Sequence, residues 1–133
     1  QISLKPGFMK HNGGILFRTI SENEYQFKSK ITENHLNGAG ITHGGFIAAF
    51  VDAGAGTAAH RSANNSPCVT ISLELKFISA VKLGQELIGN TKIQKKTKTL
   101  VFLTTELTAQ NRIVATASGV WKILRLSGAG PGG

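Results

Sequence analysis

The sequence is poor in cysteine, proline, tryptophan and acid. Its 133 residues hold one cysteine, three prolines, one tryptophan, one tyrosine and seven Asp and Glu. A lone Cys68 excludes an internal disulfide framework and a cysteine-based zinc site, and a reduced, cytoplasmic setting is the expectation. No apolar run nears the roughly 18 residues of a membrane-spanning helix. No basic segment leading into an apolar stretch marks a secretory signal, so no membrane partner is expected. The scarcity of acid leaves 15 Lys and Arg against seven Asp and Glu, a net charge of +8. That surplus admits a nucleic acid, an anionic surface or an anionic small molecule as partner. Nucleic acid rests on the charge alone, for there is no recognisable binding motif and little aromatic surface for base stacking.

What is present suffices for one domain. The apolar share, 41%, is that of an ordinary globular protein, and a chain of this size buries roughly two-thirds of its unfolded surface. Residues 1–126 read as a single domain. Residues 127–133 contain Gly128, Gly130, Pro131, Gly132 and Gly133 and read as a flexible tail.

Up to about Gly14 the chain is broken by Pro6-Gly7 and Gly13-Gly14 and reads as irregular. Ile15 to Ile20 and Glu24 to Ile31 read as strands, the latter by alternation. A Gly-rich loop, Glu33 to Gly45, runs into Phe46–His60, too long and too Ala-rich for a strand and apolar nearly all round. A helix buried by its neighbours is expected there, with Gly54 and Gly56 marking close approach of another backbone. After the polar turn Ser62 to Pro67, Val69, Ile71, Leu73, Leu75 and Phe77 alternate with polar residues, the clearest strand signal in the chain. Leu87 to Gln94, Thr99 to Thr108 and Ile113 to Leu124 complete four strands. Short breaks imply an antiparallel meander, and one sheet wrapped around one helix is the economical α+β architecture.

Generic motifs fail. Gly38, Gly40, Gly44 and Gly45 do not fit G-x-G-x-x-G, because position 43 is His, and neither G-x-x-x-x-G-K-[ST] nor G-x-S-x-G occurs. His11, His35, His43 and His60 lie too far apart for a metal-ligand pair on one helix, so no metal is expected. The informative stretch is Asn37 to Gly45, opening into the helix that carries Asp52. A helix N-terminus offers unpaired N–H groups and partial positive charge, and Gly44 and Gly45 let a ligand approach them, a suitable cradle for the oxyanion of acyl transfer. Asp52 is the one acid in its apolar helix, and a buried carboxylate demands a partner. The same residues read equally as a plain helix start and a structural cap or bridge. Gly44 and Asp52 are eight residues apart, about 12 Å along a helix axis, too far for one carbonyl to touch both within a chain. If both act on one substrate, a two-fold dimer with antiparallel helices supplies the geometry.

The pattern Asn37-(five residues)-His43-Gly44-Gly45-(six residues)-Asp52 resembles the hotdog-fold acyl-CoA thioesterases of the phenylacetic-acid-degradation (PaaI) type. The likeness runs from about Tyr25 to Trp121 and includes Val69-Thr70-Ile71, Lys82-Leu83-Gly84 and Lys98-Thr99-Leu100. It implies a sheet wrapped around a central helix, subunits that join their sheets as dimers or dimers of dimers, and hydrolysis of an acyl-CoA with no cofactor beyond the substrate's own coenzyme A. Asp52 then resembles the catalytic nucleophile or general base, and Gly44 the donor that polarises the thioester carbonyl. His43 and Asn37 resemble residues that orient the thioester or water from the opposite subunit, and Thr70 a hydroxyl near the reacting water. Arg61, Lys95, Lys96 and Lys98 are candidates by charge for the CoA phosphates, although a solvated basic turn equally explains the lysines. A non-catalytic acyl-CoA-binding protein is the alternative, to which Asp52 would be superfluous.

The remaining polar and aromatic residues have plainer readings. Cys68 reads as a small half-buried residue, and Trp121 as core or interface. His60 and Arg61 read as complements to the helix dipole. Phe46, Phe50 and Leu36 are candidates for the acyl pocket. His11 and His35 carry no argument.

Overall fold

The computed structural model describes residues 1–124; the tail read from the sequence lies outside them. Helix α1 (Phe8–His11) is followed by β1 (Leu16–Ser21), β2 (Glu24–Lys30), a single 3-10 turn (Glu33–His35), α2 (Gly44–Ser62), β3 (Cys68–Phe77), β4 (Glu86–Lys96), β5 (Leu100–Ala109) and β6 (Arg112–Ile123). The six strands form one antiparallel sheet in the order β1-β2-β4-β5-β6-β3. Every expected strand and the long helix are present. The meander, however, comprises β4 to β6 alone: β3 crosses over and pairs with β6 at the sheet edge, while β4 pairs with β2. The eight residues between β3 and β4 permit that crossing, which a hairpin turn would forbid.

Helix α2 packs on the sheet. Its buried residues, Phe46, Ile47, Phe50, Val51, Gly54, Ala55, Ala58, Ala59 and Ser62, recur every three to four positions on one face. Within one chain the burial expected from composition is one-sided. The opposite face, with Ala48, Ala49, Asp52, Ala53, Gly56, Thr57 and His60, is half-buried or exposed. Small side chains conceal this amphipathicity, because alanine and glycine read as apolar wherever they lie.

The two helix glycines serve side chains of their own chain. A Cβ on Gly54 would lie 2.2 Å from Phe27 Cε2, and one on Gly89 of β4 would lie 2.5 Å from the same atom. Phe27 thus occupies room left by both glycines, with Phe50 4.9 Å away, ring centre to ring centre. Gly56 faces the indole of its own chain's Trp121. Phe46 and Phe50 are core residues at 5% and 0% exposure within the chain.

The alternation of β3 also misleads. Thr70 pairs with Trp121 and Ser72 with Val120, so Ile71 is an extra residue, a β-bulge. Leu73, Leu75 and Phe77 pair with Gly119, Ala117 and Ala115 on the helix side of the sheet. Beyond the bulge the phase inverts: Thr70 turns toward α2, and Val69 and Ile71 are left 45% and 55% exposed.

Candidate active site

The start of α2 accounts for its unpaired donors one by one. His43 is the N-cap in an extended conformation (φ −63°, ψ 132°), and its Nδ1 accepts the Gly45 N–H at 2.8 Å. The His43 carbonyl accepts from Phe46 N–H at 3.0 Å and Ile47 N–H at 3.2 Å. Of the four first-turn donors, the Gly44 N–H alone has no acceptor among the described residues. The glycine pair therefore divides its duties. Gly45 makes room for the cap, since a Cβ there would sit 2.9 Å from His43 Nδ1, whereas one on Gly44 would meet only the Phe77 ring at 3.6 Å.

Asn37 lies beside this donor. Its Oδ1 accepts from Ala39 N–H at 2.9 Å and Ile41 N–H at 3.3 Å, shaping the loop as an Asx turn. Asn37, Gly44, Ile47 and Phe77 line a cleft of about 340 Å³. The loop is fixed by Thr42, whose N–H and hydroxyl both donate to the Val81 carbonyl, at 2.9 and 2.8 Å.

A residue to which sequence reasoning gave no role holds this assembly together. His35 is 2% exposed, stacks on Phe46 at 3.9 Å between ring centres, and accepts the Thr32 N–H at Nδ1 over 3.0 Å. With Nδ1 accepting, Nε2 carries the proton and donates to the Asn12 carbonyl at 2.6 Å, while the His35 carbonyl accepts the His43 N–H at 2.7 Å. Its single signal in the sequence is its place within the Gly-rich loop.

Asp52 lies two turns further along α2. It is exposed, contrary to the burial implied by an apolar helix, and it does have the expected partner: Thr70 Oγ1 donates to Asp52 Oδ1 at 2.7 Å. The β3 bulge makes this contact possible within one chain. Asp52 and Thr70 line a second cleft, of about 360 Å³, with Gly56, His60, Cys68 and Trp121. Burial pushes the Cys68 thiol above its ordinary range, so it is mainly the unreactive thiol at neutral pH.

The structure brings Asn37, His43 and Gly44 together, and Asp52 and Thr70 together, but leaves the groups apart. Eight residues of helix separate Gly44 from Asp52, about 12 Å. The basic candidates divide as well. The Arg61 guanidinium stacks 4.5 Å from the Phe17 ring centre and donates to Thr19. Lys96 Nζ donates to the Ser62 carbonyl at the end of α2, where a cation complements the helix dipole. Lys96 and Lys98 share a cleft of about 240 Å³ with Asn64 and Ser66, and Lys95 is exposed on β4 nearby. Among the described residues no three His, Cys, Asp or Glu side chains group as a metal site, and no helix is long and apolar enough to cross a membrane.

The chain is 28% identical to acyl-coenzyme A thioesterase 13 of Mus musculus over 103 residues, which covers 77% of this chain and 74% of that protein. Its fold superposes on thioesterase superfamily member 2 of zebrafish with a TM-score of 0.81, at 24% identity, over 90% of this chain and 88% of the other. It superposes on the Escherichia coli PaaI protein of the phenylacetic acid degradation operon with a TM-score of 0.80, at 20% identity, over 87% and 83% of the two chains. The fold is the hotdog fold of these proteins. Residues 39–116, which take in the second half of the loop, the whole of α2, β3 to β5 and the start of β6, match the thioesterase superfamily, and the chain belongs to that family.

Proposed function

We propose that this protein hydrolyses the thioester of an acyl-coenzyme A to a free acid and CoA, at a site shared by two copies of the chain. The observation that carries the reading is the separation of two complementary half-sites: a free Gly44 N–H at the start of α2, and the Asp52–Thr70 pair two turns on. In a two-fold dimer with antiparallel α2 helices, each Gly44 would lie opposite the other chain's Asp52. The small open face of α2 allows close approach. The edge strand β3, with Val69 and Ile71 exposed, offers unpaired backbone for joining two sheets.

In such a site the Gly44 N–H and the positive end of α2 bind the thioester carbonyl oxygen. They stabilise the charge that develops there when the carbonyl carbon is attacked. Asp52 either takes a proton from the attacking water or attacks directly and is released by water. Thr70 fixes one carboxylate oxygen and leaves Oδ2 for the reaction. Collapse of the tetrahedral intermediate expels the CoA thiolate, which takes up the proton, so that water is the one co-reactant and no cofactor is needed. His43 and Asn37 would position the thioester from the Gly44 side. Arg61, Lys95, Lys96 and Lys98 would supply positive charge for the CoA phosphates. Thiol release measured over a panel of short, long, aromatic and hydroxylated acyl-CoAs tests the reading; no release from any of them would overturn it.

A further inference from the structure

Trp121 is a buried polar side chain that hydrolysis, as derived above, does not use. It is 2% exposed, yet its indole N–H has no acceptor among the described residues. No fully enclosed side-chain nitrogen or oxygen lacks a partner there, so Nε1 reaches open space. Gly56 locates it: a Cβ on that glycine would lie 3.3 Å from Trp121 Nε1. Both residues line the Asp52 cleft. Gly56 follows Asp52 by four residues, so the glycine beside the N–H stands one helical turn, roughly 6 Å, along the axis from Asp52.

His60 stands one further turn along the same open face and lines the same cleft. Its Nδ1 donates to the Ser66 carbonyl at 2.7 Å, which leaves Nε2 of the neutral ring as an acceptor. The far wall of the cleft thus combines a donor and an acceptor in an otherwise small-residue surface.

We propose that Trp121 is a specificity-determining residue, and that its N–H selects, by donating to it, an acyl group bearing a hydroxyl about one helical turn from the thioester carbonyl. The hydroxyl oxygen accepts from Trp121 Nε1, and its proton is available to His60 Nε2. An unsubstituted acyl group would fill the cleft and leave the N–H desolvated and unpaired, which a site built around a donor penalises. The inference rests on the reading of the Asp52 cleft as the acyl side of a thioesterase site. Gly56 has a part in it, because a methyl group there would crowd the N–H.

The test is isothermal titration of the wild-type protein, Trp121→Phe and Gly56→Ala with non-hydrolysable thioether analogues of ω-hydroxypentanoyl-CoA and pentanoyl-CoA. The wild type is expected to bind the hydroxylated analogue about tenfold more tightly. The ratio should fall to near one in Trp121→Phe, which keeps the ring and removes the donor, and should fall also in Gly56→Ala, which carries the test if the tryptophan variant does not fold. A wild-type ratio near one, a tenfold ratio that survives both substitutions, or no binding of either analogue overturns the proposal. Equal weakening of both analogues in Trp121→Phe would place the N–H on the pantetheine arm and overturn it too. Thiol release from the true thioesters, run in parallel, separates the two readings. Hydrolysis without discrimination sinks the hydroxyl proposal alone, and discrimination without hydrolysis sinks the hydrolase reading alone.

Discussion

Thr70 on the edge strand donates its hydroxyl to Asp52 on the helix at 2.7 Å, and it can do so because Ile71 has no counterpart on β6. Without the bulge, Thr70 would share a face with Ser72 and Glu74 and point away from α2. The bulge interrupts the regular pairing to turn one hydroxyl toward one carboxylate, a use of such irregularities that recurs beside active sites.

Asp52→Asn keeps the shape of the side chain and its contact with Thr70 while removing the base. Thiol release from a good acyl-CoA substrate should fall about a hundred- to ten-thousand-fold, with circular dichroism and thermal midpoint unchanged. Thr70→Ala should lower kcat by a smaller factor, about tenfold, with KM little altered, and Thr70→Ser should restore most of it. An Asp52→Asn protein that turns over normally would remove Asp52 from the chemistry.

Gly44→Pro isolates the role of one N–H. Proline is favoured at the first position of a helix. The preceding His43 already has the extended conformation (ψ 132°) that proline requires of its neighbour. The variant should therefore fold with a thermal midpoint at or above that of the wild type. Lacking the donor, it should lose roughly a hundred- to a thousand-fold in kcat. A folded variant with full activity would show that the carbonyl is polarised by another group.

The core makes a prediction independent of function. Gly54→Ala puts a methyl group 2.2 Å from a ring carbon of Phe27, itself confined by Gly89 and Phe50, and overpacking of this kind costs about 1–3 kcal/mol. Thermal unfolding should report it as a fall of roughly 4 °C per kcal/mol. Gly38→Ala, whose methyl would meet nothing within 4 Å, is the matched control.

Much of this arrangement was legible in the sequence, and the losses have physical causes. Alternation located β2 and β3, and the length and alanine content of the segment after Gly45 located α2. The spacing of Gly44 and Asp52 already implied that, if both act on one substrate, they come from two chains. Alternation cannot reveal a bulge, since Val69 through Phe77 alternate in sequence whether or not the strand does so in space. Nor can apolarity tell which face of an alanine-rich helix is buried; it took Phe27 and Trp121 on the sheet to assign Gly54 and Gly56. His35 and the Trp121 N–H were beyond reach because their meaning lies in what surrounds them, partners brought in from Asn12, Thr32 and Phe46 in one case and their absence in the other.

Cys68 offers a probe of the Asp52 cleft, which it lines. Burial raises its thiol above the ordinary range, so the thiolate is scarce at neutral pH and alkylation by iodoacetamide should be slower than for a free thiol. The rate should keep rising with pH beyond the point where an ordinary cysteine levels off. A bound acyl-CoA thioether analogue should slow it further at every pH. Labelling that is fast at neutral pH and indifferent to the analogue would place Cys68 outside the occupied cleft.

A site divided between two chains would have a quantitative consequence. In a mixed dimer of one Asp52→Asn chain and one Gly44→Pro chain, one site would carry both lesions. The other would pair an intact Asp52 with an intact Gly44. Random exchange makes half the dimers mixed, each with one good site of two, so two nearly inactive preparations combined after subunit exchange should recover about a quarter of wild-type activity. A site contained in one chain would recover nothing, because every chain in the mixture bears a lesion. Activity that appears only under conditions that allow exchange, and approaches that fraction, would establish that Gly44 of one chain serves Asp52 of another.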